Sequence, residues 1–334
     1  MKSKKQVRRI GNNKSKKMRQ NKMKGGGEKE NELLFIACRN SNLEKAIALI
    51  GEGASIHAKN RYKRTPLHEV CIEGNVELAM ALLNRGANVD VRDNLTYTPL
   101  HIACRYGHTE VAMALLDRGA NIESIIASSK NTPLHLACRY GHTQVAMALL
   151  DRGANIESIN YEKNTPLHLA CRYGHTQVAM ALLDGGANIE SRIASSQNTP
   201  LHIACVNGNE EVAIELLDRG ANINSRNASQ NTPLHLAMGN APIALAKYLV
   251  DRGADINSIN KCCKTPLDSM RISKEDKQQL QERYIEREQA KHQAFDRIED
   301  ILSKMDTGPS SEIAESLGRS FGGKRKTKKL KNEK

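Results

Sequence analysis

Apolar residues return along this chain in paired bursts, each at helical spacing and each closed by a glycine. In one copy Leu134, Leu136, Ala137 and Cys138 make the first burst, and Gly141 ends it. Val145, Ala146, Leu149 and Leu150 make the second, ended by Gly153. This spacing predicts two short helices with the glycines at their C-terminal ends. Thr132 is placed to cap the first helix. Pro133 suits its first position, where a missing N–H leaves nothing unsatisfied. From Ala154 to Lys163 the helical period lapses, and Asn155, Ser158 and Asn160 supply turn chemistry. That stretch is expected to be an extended or hairpin-like loop.

The bursts are copies of one unit. The 22 letters KNTPLHLACRYGHTQVAMALLD run from Lys130 to Asp151 and again from Lys163 to Asp184. Thr-Pro-Leu-His begins at Thr65, Thr98, Thr132, Thr165, Thr199 and Thr232, and a Thr-Pro-Leu-Asp variant at Thr265, at intervals of 33 or 34 residues. Such a period predicts an all-α repeat, an α-solenoid in which each unit buries its apolar face only against its neighbours. Thr-Pro-Leu-His-x-Ala, then Gly-His, Val-Ala-x-x-Leu-Leu and Gly-Ala-Asn-Ile recur in register across residues 65–257, and this pattern resembles the ankyrin repeat. The resemblance implies stacked helix pairs with projecting hairpin-like loops. It also implies protein–protein binding without catalysis.

The ends depart from the pattern. Residues 1–30 are expected to be a basic disordered tail and 31–272 the array. Within the array, 31–60 form an N-terminal cap in which Glu32-Leu33-Leu34-Phe35 replaces the usual tetrapeptide. Repeats start near 65, 98, 132, 165, 199 and 232, and a C-terminal cap starts at 265, giving eight units. Pro266 to Ile272 would make the last unit's first helix, with Ser273 and Asp276 a capping box opening the next. Gly239, Asn240, Ala241 and Pro242 stand where other units have Arg-Tyr-Gly-His, so the turn there should differ. A long polar helix is expected over 273–305, with Leu280, Tyr284, Phe295, Ile298, Leu302 and Met305 on one stripe. The stripe passes through Arg287 and Lys291, a poor coiled-coil seam. A solvated helix packing only its ends and a dimer contact both fit; the array itself is expected to be monomeric. Residues 306–334 read as a second disordered basic tail.

Composition sharpens this picture. The chain has no Trp and 3% aromatic residues, so its core must rest on small aliphatic side chains. The net charge of +13 is concentrated at the ends: 11 bases and no acid in 1–24, and seven bases with one acid in 324–334. These segments carry +17, so residues 25–323 sum to −4. No stretch approaches the roughly 18 apolar residues of a membrane-spanning helix, and no apolar run follows the basic N-terminus as in a signal peptide. A cytoplasmic or nuclear location is expected, with secretion into a host cell as an alternative.

Cys38, Cys71, Cys104, Cys138, Cys171 and Cys205 occupy one position in successive units. Stacked helices lie about 8–10 Å apart, too far for disulfides, and a small core residue explains them. Cys262 and Cys263 adjoin in a loop without a nearby third ligand. His68, His101, His135, His168, His202 and His235 recur in the tetrapeptide, and His108, His142 and His175 before the second helix. A catalytic constellation needs one site rather than six copies. The resemblance implies instead that the tetrapeptide His links neighbouring loops. Neither a phosphate-cradling glycine loop nor a nucleophile motif occurs, so no enzyme, metal or cofactor is expected.

Binding candidates lie where the copies diverge and on one repeated pair. The loops vary and carry Tyr62, Tyr97 and Tyr161. Three consecutive units hold Arg105-Tyr106, Arg139-Tyr140 and Arg172-Tyr173 at positions that the resemblance puts on a concave groove. Arg and Tyr are enriched at binding hot spots, and a ladder of them suits an extended, partly acidic protein segment. A harmless pair multiplied by copying fits the sequence equally. The tails fit three readings: inert solvated chain, a nuclear import signal at Lys324, Arg325, Lys326, Lys328 and Lys329, or attraction to nucleic acid or anionic membrane.

Overall fold

The computed structural model describes residues 27–268 and 272–304. Among them seven helix pairs follow one another. They are α1 (27–39) and α2 (Leu43–Gly51), α3 (Pro66–Glu73) and α4 (Val76–Asn84), and α5 (Pro99–Tyr106) and α6 (Thr109–Asp117). Next come α7 (Pro133–Tyr140) and α8 (Thr143–Asp151), and α9 (Pro166–Tyr173) and α10 (Thr176–Asp184). The series ends with α11 (Pro200–Asn207) and α12 (Glu210–Asp218), and α13 (Pro233–Asn240) and α14 (Ile243–Asp251). A 3₁₀ turn at Pro266–Asp268 and the long helix α15 (Lys274–Lys304) complete the chain. No strand occurs among the described residues. Helices α3, α5, α7, α9, α11 and α13 stack in one row, α4 to α12 in a second, with the loops projecting between units. Among the described residues no helix is long and apolar enough to cross a membrane.

The tetrapeptide builds each helix start and ties it to the next unit. Thr132 is extended, and its hydroxyl donates to His135 Nδ1 at 2.8 Å while its N–H donates to the same nitrogen at 3.3 Å. The far nitrogen, Nε2, donates to the Asn164 carbonyl in the following loop at 3.2 Å. A carbonyl oxygen only accepts, so the imidazole proton sits on Nε2 and Nδ1 keeps its lone pair. The link recurs from His68 to Tyr97 O, His101 to Asn131 O, His168 to Asn198 O, His202 to Asn231 O and His235 to Lys264 O, at 3.0–3.3 Å. Burial holds these rings neutral: His68, His101, His135, His168 and His202 are pushed down to about 4 by desolvation.

A second stitch joins neighbouring first helices. Gly141 adopts φ +80°, and the His175 ring packs so tightly against it that a β-carbon there would lie 2.7 Å from Nδ1. His175 Nε2 then donates to the Arg139 carbonyl at 3.1 Å, as His142 does to Arg105 O and His108 to Ile72 O at 2.9 Å. Asn209 replaces the histidine in its unit and donates to the equivalent Arg172 O at 3.0 Å and also to Cys171 O at 2.7 Å. The unit opening at Thr232 differs as expected: Ala241 is extended (φ −95°, ψ 160°) where the others have a left-handed glycine.

Between the rows lies a core of Leu, Val, Ala and Cys, in which Leu134, Leu149, Leu167 and Leu182 are fully buried. Each fully buried leucine contributes about 1.5–3 kcal/mol by leaving water. The six periodic cysteines are also fully buried. Burial pushes the Cys38 thiol up to about 12 and the other five higher still, so they pack as neutral small residues.

Both ends differ from expectation. Helix α1 already includes residues 27–30, which the sequence pattern assigns to the tail. At the other end Pro266–Asp268 is a 3₁₀ turn, and residues 269–271 of the expected helix lie outside the described residues. There the Asp268 carboxylate accepts from the Thr265 N–H (2.6 Å) and hydroxyl (2.9 Å), taking the imidazole's capping role without its reach to a further loop. Ser273 caps α15 by accepting from the Asp276 N–H at 3.0 Å. Near its start α15 packs on α14 through buried Leu280 and half-buried Tyr284. Arg287 adds a donation to Val250 O at 2.7 Å. Ile301 near its end is 58% exposed, and the side chains of residues 302–304 lie outside the described ones. Residues 306–334 and Met305 lie outside the described residues.

Along the second row the recurring Asp-Arg-Gly forms a charge ladder. Arg152 pairs with Asp117 of the preceding unit at 2.8 Å, Arg219 with Asp184, and Arg252 with Asp218 at 2.6 Å. Arg283 of α15 continues it by pairing with Asp251. Gly185 breaks the ladder: it stands where Arg stands elsewhere, and Asp151 has no ion pair among the described residues. Gly185 has φ −76°, which any residue adopts. Replacing it, Gly185→Arg, should restore the Asp151 pair and raise Tm by about 1–3 °C, since an exposed pair contributes under about 1 kcal/mol. An unchanged or lower Tm in a calorimetric scan refutes this.

The buried imidazoles set a pH response. Their pKa in the unfolded chain is 6.5 and in the folded chain about 4, so the unfolded state binds more protons between those values. Their contribution is intact above about pH 6.5 and is lost as pH falls toward 4, by about 1.4 kcal/mol per unit for each ring. Acting together they should unfold the array before pH 4 is reached. Circular dichroism melts at pH 7, 6 and 5 test this, and a Tm flat across that range is the contrary result.

Candidate protein-binding face

The first helices α5, α7 and α9 each end in Arg-Tyr, and stacking brings the pairs into one row. The Arg105 guanidinium lies 5.3 Å from the Tyr140 ring of the next unit, 5.9 Å from Tyr106 and 6.0 Å from Tyr97. Arg139 repeats the step, 5.2 Å from Tyr173 and 5.9 Å from Tyr140. Each guanidinium thus sits by its own tyrosine and by that of the following repeat. Such contacts attract through the ring quadrupole and hold the planar fork of donors in place. Tyr106, Tyr140 and Tyr173 remain 39–47% exposed. Tyr106 and Tyr173 stack at 6.4 Å on His108 and His175, the rings that stitch neighbouring helices.

The three pairs are alike in sequence and unlike in charge. Among the described residues Arg105 and Arg139 have no carboxylate partner. Arg172 does: its Nη1 donates to Glu162 Oε2, on the loop, at 2.7 Å. Sequence reasoning passed over Glu162, although it is the only acid among the residues 161–163 and their counterparts in the other repeat loops between Asp93 and Thr265.

The loop tyrosines divide. Tyr97 is half-buried, edge-on to His101 at 6.0 Å, and forms the loop-side wall of the row beside Arg105. Tyr62 lies elsewhere, under Arg61 at 4.7 Å and Arg64 at 5.8 Å. There it lines a groove of about 850 Å³ with Phe35, Ile36, Arg39 and Glu69. Tyr161 projects from a loop tip, 60% exposed, its N–H donating to Ser129 O at 2.9 Å. The structure therefore gathers Arg105, Tyr106, Arg139, Tyr140, Tyr173 and Tyr97, sets Arg172 beside them on an ion pair, and leaves Tyr62 and Tyr161 apart.

The loops are tied rather than loose. Asn160 Nδ2 donates to Asn131 Oδ1 at 2.9 Å, and Asn227 and Asn260 repeat the bond to Asn198 and Asn231 at 2.8 Å. Near the N-terminus two buried acids hold the edge. Glu69 accepts from Asn60 at 2.9 Å and faces Arg39 at 3.6 Å, and Asp93 faces Arg64 at 3.3 Å. Cys262 and Cys263 are exposed in the last loop, and no group of His, Cys, Asp or Glu among the described residues could hold a metal ion. Lys324, Arg325, Lys326, Lys328 and Lys329 lie outside the described residues.

The family model "Ankyrin repeats" matches this chain in three copies, over residues 34–126, 122–193 and 190–260. Among solved structures, the crystal structure of the human ASB11 ankyrin repeat domain is 32% identical with a TM-score of 0.60; the match covers 66% of this chain and 98% of that one. No curated protein matched the chain. Ankyrin repeats are generally protein-binding scaffolds and typically non-catalytic. With recurring motifs, stacked helix pairs and a family match from 34 to 260, the chain belongs to the ankyrin repeat family.

Proposed function

We propose that this protein is a non-catalytic scaffold that grips a protein partner by its loops and by the Arg-Tyr face of α5, α7 and α9. The observation that carries this is the unbroken row of exposed Tyr106, Tyr140 and Tyr173 with Arg105 and Arg139 between them. Tyr and Arg give large contact area and directed donors, which is why they dominate binding hot spots. Their mounting on stacked helices means that little side-chain freedom remains to be lost on binding. The array acts as a monomer in the cytoplasm or nucleus.

Replacing Tyr106, Tyr140 and Tyr173 together by Ala should weaken partner capture at least tenfold, since central hot-spot residues each contribute about 2 kcal/mol or more. Tm should change little, because the three rings are substantially exposed. Capture that survives intact in affinity pull-downs removes the Arg-Tyr face from the proposal.

The distribution of charge favours a second reading, in which the tails tether the protein to nucleic acid or anionic membrane while the array is a spacer. Segments 1–24 and 324–334 carry +17 against −4 for the rest. Deleting both should then abolish retention on RNA or anionic vesicles, and raised salt should mimic the deletion as counterions compete. A protein partner retained by the tail-less array at moderate salt argues for the scaffold and against the tether.

A further inference from the structure

Three copies of one pair would offer three equal contacts, yet only two guanidiniums are available. Arg172 is engaged by Glu162, whereas Arg105 and Arg139 are held among tyrosines with no carboxylate facing them. A planar guanidinium held in place with its donors unspent is a bidentate site for a carboxylate or phosphate. The two sites are one repeat apart, and stacked helices set that step at about 8–10 Å.

A ligand that meets both must present anions on one side at the same step. A polyproline-II segment has three residues per turn and rises about 3.1 Å per residue, so every third side chain returns to one side after about 9.3 Å. A β-strand returns to one face after two residues, about 6.6 Å, which is too short, or after four, about 13 Å, which is too long. Single-stranded nucleic acid fits less well. The Tyr140 ring already has Arg105 at 5.3 Å and Arg139 at 5.9 Å beside it, so a stacking base would compete with them for the ring.

We propose that Arg105 and Arg139 are paired anion subsites for a polyproline-II segment of a partner protein that carries acidic side chains three residues apart. Glu162, by occupying Arg172, ends the site after two. This rests on the scaffold reading of the same face and gives it a ligand class and a register. The tyrosines flank the anions and pack against the intervening residues, where proline is accommodated because no backbone N–H is required of it.

The test uses the full chain and fluorescent Pro-rich peptides of one composition whose two glutamates are two, three or four residues apart. Binding is read by anisotropy at about 0.15 M salt, where tail attraction to any acidic peptide is screened and common to all three. The three-residue spacing should bind about tenfold tighter than its isomers, the equivalent of one well-formed charged contact. Arg105→Gln with Arg139→Gln should erase that preference while leaving the tails' background. Glu162→Gln should add a gain for a peptide with a third glutamate at the same spacing, and none for the two-glutamate peptide.

Phosphoserine in place of glutamate decides between phosphate and carboxylate as the anion, and either result upholds the subsites. Equal binding of the isomers, or a preference that outlives the double substitution, overturns the proposal. So does an oligouridylate that displaces the peptide from the unsubstituted chain but is weakened by the double substitution, because it puts RNA on the row. If the spacing preference is absent while the triple tyrosine variant still loses its partner, the face binds protein of another chemistry. If both effects are absent, the scaffold reading of this face falls as well.

Discussion

The structure depends on a buried neutral imidazole at the start of α3, α5, α7, α9 and α11, repeated half-buried at α13. Its Nδ1 receives the cap threonine's hydroxyl and N–H, and its Nε2–H reaches the carbonyl of the loop one unit on. One side chain thus completes a helix cap and joins two units, and it does both only as the Nε2 tautomer. The ring leaves water without charge, and burial then keeps it uncharged. Because each unit from Thr65 to Thr232 supplies the same donor and meets the same kind of acceptor, a copied inner sequence is compatible with its neighbour on either side. That compatibility explains why near-identical repeats form a continuous array rather than separate domains.

Stability and recognition occupy different positions of the same unit. Leu, Ala, Val and Cys fill the space between the helix rows, and the histidine and asparagine bonds tie the loops. The Arg-Tyr pairs stand at the helix ends outside the buried core, with the tyrosines 39–47% exposed. Nearest-neighbour stacking also makes a row from separate pairs, since each guanidinium finds its second aromatic partner only in the following repeat. The face is a product of the array and is absent from any single unit. At the C-terminal end the same logic is satisfied by substitution: α15 supplies Leu280 to the core and Arg283 to the Asp251 position, closing the stack without a further repeat.

Much of this was legible in the sequence because it is local or periodic. Thr-Pro at a helix start, glycine at its end and apolar spacing between them act within a few residues, and the period of 33 or 34 residues repeats each inference along the chain. The cysteines were legible for the same reason: six share the helical register of the core and are buried, and two lie in a loop and are exposed. The turn after α13 could be foreseen from the loss of its glycine. What failed did so where the pattern stops. Asp268 takes the tetrapeptide histidine's place and caps through its carboxylate, and Pro266–Asp268 is a 3₁₀ turn where the pattern predicts the start of an α-helix. In α1 the chain continues helically through 27–30 with no tetrapeptide to mark a start.

The sequence by itself determined the repeat, the helix pairs, the composition of the core and the identity of the Arg-Tyr candidates. These follow from short-range backbone preferences and from burial at a fixed period. Only the tertiary structure decided that Arg105 and Arg139 stand free among tyrosines while Arg172 is held by Glu162, that Tyr62 and Tyr161 lie apart from the row, and that Gly185 leaves Asp151 without its ion pair. The physical reason is that charge and ring contacts act across space between residues about ten to thirty-five apart, and three identical dipeptides acquire different partners from loops that are not identical.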